Sequence, residues 1–281
     1  MIEMKNLRFG YGKEPLFEGL DLELAAGSIY GLLGKNGAGK TTLLKLISGL
    51  RVPREGRLKA LGAEPSRRPP SLLEEIYFIP EEFYTPPLTI AGYVAIYAPF
   101  YPRFDRDLFE EYRREFALSD AKKLTGFSYG QKKKFLLAFG IASGCRLLLL
   151  DEPTNGLDIP SKSQFRRLLA AAVSEERLIL VSTHQVRDME NLIDPIIILD
   201  EGQIIYNRSL EETARRITIR IEQEAPDQST DTLLYSAPVL GGHVAVRENR
   251  EGEESRIDLE TLFNAVTTNS EGIAALFAKE A

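Results

Sequence analysis

The chain has 281 residues, 43% of them hydrophobic, a formal charge of −6 and a pI near 5.3. That length suits one large domain plus a small one, and the acidic balance argues against a broad nucleic-acid surface. The longest apolar run, 135–145, is far short of the roughly twenty residues that cross a bilayer; with no signal-peptide core in MIEMKNLRFG and a single cysteine, Cys145, read as a buried small residue, the expected setting is a reducing cytoplasm.

In chain order, residues 1–9 and 16–24 alternate apolar and polar side chains and predict strands before the turn AAGS. IYGLLG (29–34) is an apolar run leading through glycines into a helical stretch, KTTLLKLISGL (40–50), the strand–loop–helix order of a phosphate-binding unit. Residues 83–104 then hold seven of the chain's 25 aromatics, and RDLFEEYRREF (106–116) has helical charge spacing. An inserted helical subdomain is predicted over about 83–140, its rings mostly core, with a few lining a groove. The three lysines at 132–134 read as a solvated helix face.

The strand–helix rhythm returns with RLLLLD (146–151), SQFRRLLAAAVSE (163–175), RLILVST (177–183) and PIIILDEG (195–202), predicting a mostly parallel sheet covered on both faces. The main domain is expected over 1–209. Beyond it, ITIRIEQ (217–223) alternates, HVAVREN (243–249) and SRIDL (255–259) read as strands around a charged turn, and 259–281 reads as helical. Residues 210–281 are therefore predicted to form a small separate α+β unit.

Residues 34–41, GKNGAGKT, fit the phosphate-loop pattern in full: Gly34, Lys35, Asn36, Gly37, Ala38, Gly39, Lys40 and Thr41. The glycines let backbone N–H groups wrap an anion without Cβ clashes. Lys40 brings positive charge to the β- and γ-phosphates, and the Thr41 hydroxyl suits Mg²⁺. Thr42 begins the helix whose positive end faces the triphosphate. The second half of the site is LLLLDEP (147–153). Asp151, at the carboxyl end of a buried strand, is placed to hold the Mg²⁺ shell. Glu152, one residue on, points differently and can polarise a water as general base.

Together these motifs resemble the nucleotide-binding subunits of ABC transporters over about residues 1–205. The resemblance implies a P-loop NTPase (RecA-like) α/β fold with a mostly parallel sheet, N-terminal antiparallel strands and the inserted helical subdomain. It implies that Tyr11 stacks on adenine and that FSYGQ, with Ser128, Tyr129, Gly130 and Gln131, is the signature motif. It assigns Asp158 to the loop after the acidic strand and makes His184 the switch histidine that contacts the γ-phosphate. It further implies that two chains pack head to tail, most simply as a homodimer, so that Ser128 and the Gly130 N–H of one bind the ATP of the other. ATP and Mg²⁺ are then the cofactors, separate multi-span membrane permeases the partners, and the cytoplasmic face of the cell membrane the location. No nucleic-acid partner is expected. FYPRFD (100–105) and the small tail look like bacterial exporter cassettes.

Two positions depart from the family pattern. Tyr129 replaces the first glycine of the usual pair, so its side chain must point away from the nucleotide or alter the closed dimer. Glu81 (with Glu82 the other registration) stands where the family has a glutamine touching Mg²⁺, and is expected to keep that metal-linked role. A second reading is a soluble ABC ATPase of an assembly, ribosome-associated or nucleic-acid complex. A single cassette, and the 88 positions between Lys40 and Ser128 without sustained heptads, argue against its translation and DNA-maintenance forms. A P-loop small-molecule kinase would leave Ser128, Gly130 and His184 unexplained. The C-terminal unit is expected to supply dimer contacts through ITIRIEQ and LFNAV.

Overall fold

The structure is a computed structural model and describes residues 1–227 and 232–278. The alternation in the first 24 residues becomes β1 (Ile2–Tyr11) and β2 (Glu14–Leu24). After β3 (Ile29–Leu33) enters the central sheet, β4 (Glu55–Ala60) returns to β1, giving an antiparallel sheet ordered β2-β1-β4. β3 runs through the phosphate loop into α1 (Lys40–Ile47). A short α2 (Pro70–Leu73) precedes β5 (Ile76–Ile79). The inserted segment supplies α3 (Ile90–Tyr97), α4 (Arg106–Glu115) and α5 (Tyr129–Ala142). Then come β6 (Leu147–Asp151), α6 (Ile159–Ala171), β7 (Leu178–Thr183), β8 (Ile196–Asp200) and β9 (Gln203–Arg208). The central sheet is ordered β5-β6-β7-β3-β8-β9, parallel except for the antiparallel edge pair β8-β9.

Strand periodicity divides this sheet between two cores. Leu147, Leu149, Leu32, Leu178, Leu180 and Leu199 face α1 and the antiparallel sheet. Leu148, Leu150, Leu33, Ile179, Val181, Ile196 and Ile198 face the other way, toward α5 and α6. Each such side chain, fully buried, contributes on the order of 1.5–3 kcal/mol.

The helical insertion is started by side-chain caps. Thr89 accepts the Gly92 N–H at 3.1 Å and Asp105 the Leu108 N–H at 2.9 Å. Phe83, Tyr93, Tyr101 and Phe104 pack into its core, with Tyr93, Phe104, Phe109 and Phe135 clustered about Phe139. Tyr84, Tyr97 and Phe100 remain exposed. Cys145 is buried.

Beyond α7 (Leu210–Arg216), a second antiparallel sheet forms from β10 (Ile217–Glu222), β11 (Leu233–Val239) and β12 (Gly242–Glu248), in the order β10-β12-β11. Residues 255–259 are not the strand expected from SRIDL. Residues 255–258 run irregularly alongside β10, where Ser255 Oγ accepts the Ile219 N–H at 3.0 Å, and Leu259 already belongs to a helix. The third strand is β11, whose Ser236 and Pro238 disguise it; Pro is tolerated there at the end of an edge strand. The helical tail breaks at Asn269 into α8 (Leu259–Thr268) and α9 (Ser270–Ala278), with Asn269 Oδ1 accepting the Gly272 N–H; residues 279–281 of the expected helix lie outside the described residues. Leu259, Leu262, Ala265, Val266 and Ile273 join the same apolar core as Met189, Ile196, Ile198 and Tyr206.

Candidate nucleotide site

The loop between β3 and α1 is built for close backbone approach. A Cβ on Gly34 would sit 2.5 Å from the Leu199 carbonyl oxygen, and Gly39, at φ +108°, lies against the Phe17 ring. Helix α1 starts with no side-chain cap and no acidic residue in its first turn, so its first N–H groups remain open to an anion. Lys40 is buried, and its ammonium donates to the carbonyls of Gly34 (2.7 Å) and Lys35 (3.2 Å). Burial holds that ammonium below its ordinary pKa, against the opposing pull of Glu152, Asp151 and Glu81. The Lys35 side chain turns instead toward Asp200, 3.5 Å away.

The cavity over this loop has a volume of about 340 Å³, and its walls include Tyr11, Asn36, Gly37, Lys40, Thr41, Thr42, Glu81 and Glu152. Ala38 is buried behind the loop. Tyr11 is half exposed; its hydroxyl lies 3.1 Å from Thr42 Oγ1, Phe9 meets its ring edge-on, and Arg51 lies 5.9 Å from the ring centroid. A ring held this way is a platform at the cavity mouth.

Asp151 shares the β6 face of Leu147 and Leu149, which delivers its carboxylate to α1. Oδ2 accepts from Thr41 Oγ1 at 2.7 Å and Oδ1 from Ser182 Oγ at 2.5 Å. A buried carboxylate beside a hydroxyl, next to a phosphate loop, is a hard-oxygen donor pair that suits Mg²⁺. Among the described residues no group of three or more His, Cys, Asp or Glu is arranged to hold a metal.

Glu152 departs from the strand at φ +45° and faces the other way. Its Oε1 accepts the His184 N–H at 3.0 Å and lies 2.7 Å from His184 Nδ1. Its Oε2 is buried and has no hydrogen-bond partner among the described residues. His184 is thus brought onto Glu152 and is not among the cavity walls.

None of Ser128, Tyr129, Gly130 and Gln131 lines this cavity. Ser128 Oγ accepts the Gln131 N–H at 3.2 Å and Gln131 Oε1 accepts the Ser128 N–H at 3.0 Å, a reciprocal capping box that starts α5. Tyr129 points into its own chain. Its hydroxyl donates to the Glu81 carbonyl at 2.7 Å, its ring stacks on Phe83, and a Cβ on Gly156 would come within 2.6 Å of it. The Glu81 carboxylate accepts from Asn155 Nδ2 at 2.8 Å. Asp158 caps α6 by accepting the Ser161 N–H at 3.0 Å, and hydrogen bonding from the Ser161 side chain, then from its backbone, keeps the carboxyl below the usual range.

The lysine triplet is not a solvated face. Lys133 is completely buried, and its ammonium donates to the Glu152 carbonyl and, at 3.1 Å, to the Asn155 carbonyl. Burial pulls its pKa down to about 8, with Glu81, Glu152 and Asp151 pulling the other way. Sequence reasoning missed Lys133, Asn155 and Ser182. Only Lys133 left a signal: it lies one turn before Leu137 on a helix buried nearly all round from Phe135 onward.

Residues 17–155 match the protein family described as ABC transporter. The chain is 30% identical over 239 residues to the bacitracin transport ATP-binding protein BcrA of Bacillus licheniformis, covering 83% of this chain and 78% of that one. It is 28% identical to the Nod factor export ATP-binding protein I of Cupriavidus metallidurans, over 73% and 70% of the two chains. In structure it is similar to an ATP-binding subunit of an ABC transporter, with a TM-score of 0.69 and 27% identity over 76% of this chain and 92% of that one.

Proposed function

The chain belongs to the ABC transporter ATP-binding proteins, and from that premise we propose that this ATPase drives an exporter as a head-to-tail pair of identical cassettes. The observation that carries the pairing is the half-built cavity: it has a phosphate loop and a carboxylate, while the exposed start of α5 at Ser128 is absent from its walls. A second copy would bring Ser128 and the Gly130 N–H to the γ-phosphate. The export direction is supported by the relative named for Nod factor export. Permease contact is supported by Tyr84, Ile96, Tyr97 and Phe100, large side chains left exposed on and beside α3. Among the described residues no helix is long and apolar enough to cross a membrane, which accords with separate permease chains and a place at the cytoplasmic face. We take 1–209 as the cassette and 210–281 as a unit that adds contacts between copies, with Ile221 and Val239 exposed on its sheet and Leu240 exposed at the turn after β11.

In this reading ATP enters with its adenine against Tyr11. Lys40 exchanges the Gly34 and Lys35 carbonyls for phosphate oxygens, and the open N–H groups of α1 and its loop complete the cradle. Thr41 and Asp151 would hold Mg²⁺, which supplies positive charge against the triphosphate. Glu152, held through Oε1 by His184, presents its unpartnered Oε2 as the base for an attacking water. Asp158 lies in the loop between the two copies.

Mixing two inactive variants tests the pairing. Ser128→Arg keeps Lys40 but loses the signature; Lys40→Ala keeps the signature but loses the loop lysine. Head-to-tail assembly builds one intact site per mixed dimer, so phosphate release should reappear on mixing. Continued silence of the mixture, with both variants folded, would overturn the arrangement.

Glu81 is proposed to act on the metal through the cavity wall. Glu81→Gln is then expected to raise the Mg²⁺ concentration for half-maximal hydrolysis roughly tenfold, the scale of losing a partner close to a metal site. An unchanged Mg²⁺ titration would confine Glu81 to holding Asn155.

A further inference from the structure

Lys133 is a fully buried cation that the reaction outlined above does not use. It belongs to α5, the helix that begins at Ser128, yet its ammonium is spent on another segment, the carbonyls of Glu152 and Asn155. The turn between those residues is tight: the Asn155 N–H donates to the Glu152 carbonyl at 3.2 Å, and Glu152 holds a positive φ. A left-handed non-glycine residue persists only where its surroundings over-determine it. Here the Glu152 N–H is fixed on the Ser182 carbonyl at 3.0 Å and its carbonyl is fixed on the lysine. Asn155, held by the same ammonium, passes a hydrogen bond to Glu81, and the Tyr129 ring lies 5.6 Å from Nζ. One charge therefore joins the second turn of α5 to the backbone of the residue whose carboxylate meets His184.

We propose that Lys133 is a positioning residue for hydrolysis, tying the backbone of Glu152 to the helix that starts at Ser128. The inference rests on the reading of Glu152 as general base. A displacement of α5 upon engaging the partner's nucleotide would act directly on the Glu152 carbonyl, so the carboxylate is set in one chain by what its signature helix meets in the other. The charge suits the task because an ammonium bonds two carbonyls at once and more strongly than a neutral donor. Its buried surroundings, rich in carboxylates, give it no solvent to exchange with.

The test uses the full chain with ¹³Cε1-labelled histidine. His184 and His243 are its two histidines, so a ¹H–¹³C spectrum reads His184 directly, with His243 as internal reference. Lys133→Met, of similar length and without the charge, should move the His184 signal toward its position in Glu152→Gln and leave His243 in place. It should also lower kcat by at least about tenfold with KM for ATP held within about threefold, the pattern of an interaction that matters in the transition state. Lys133→Gln, able to donate to one carbonyl, should recover part of both effects, and serves alone should the methionine variant fail to fold. An unmoved His184 signal with kcat within twofold of wild type overturns the proposal. So does a kcat loss matched by equal losses of nucleotide affinity and melting temperature, which marks a merely structural lysine. Were wild-type turnover to survive Glu152→Gln, the reading of Glu152 would fall, while the His184 signal would still decide whether Lys133 positions that carboxylate.

Discussion

Glu152→Gln should lower ATP turnover by roughly 10²–10⁴-fold, the range carried by a general base, while leaving nucleotide binding close to that of wild type. The substitution is nearly isosteric and leaves Lys40, Thr41 and Asp151 untouched, so the phosphate cradle persists. What changes is the buried Oε2, now without a partner among the described residues. As a carboxylate oxygen it can accept a proton from water; an amide in its place cannot. His184 meets the other oxygen through both its N–H and Nδ1, and that contact keeps the side chain aimed. Phosphate release at saturating ATP and Mg²⁺ measures the loss. Light scattering on the same variant measures the accompanying gain, an ATP-dependent shift from monomer to dimer that persists because the bound ATP is no longer spent. Turnover within tenfold of wild type would assign the base elsewhere.

Lys40→Ala is expected to cost roughly 10²–10³-fold in hydrolysis, comparable to removing one preorganised donor from a developing charge, and to weaken ATP binding as well. The lysine emerges from the first turn of α1 into a buried position, where its ammonium already spans two carbonyls of the loop. In the proposed reading a triphosphate would outcompete them, because its charge is formal while theirs is partial. Alanine leaves the loop glycines and the helix start intact, so residual binding through N–H groups should survive, distinguishing this variant from an unfolded one. Titration with a fluorescent nucleotide, read beside phosphate release, separates the two losses. Wild-type affinity in Lys40→Ala would mean that the backbone alone holds the nucleotide.

What the sequence disclosed was whatever is local. The phosphate loop is eight consecutive residues whose glycines have a steric reason, and the adjacent carboxylates end an uninterrupted apolar strand. Both stood in the chain as they stand in the structure. Lys133 was misread because helical spacing tells which residues share a face but not which backbone that face will meet 19 positions later. Ser182 was silent for the same reason, reaching Asp151 across 31 positions through parallel strand register. Tyr129 was seen as a departure, but where its ring would go depended on Phe83, Glu81 and Gly156, which only the fold assembles. Strand β11 was hidden by its own chemistry, since Ser236 and Pro238 break the alternation that marked its neighbours.

The division of the central sheet between two cores has an evolutionary corollary. Helices α8 and α9 rest on the face that also carries α5 and α6, while α1 and the phosphate loop are anchored from the opposite face. Drift in the tail is thereby shielded from the loop geometry by a layer of strands. Tails of different sequence could be grafted onto this scaffold by repacking one core, with the phosphate cradle inherited unchanged and the lineage free to acquire new attachments.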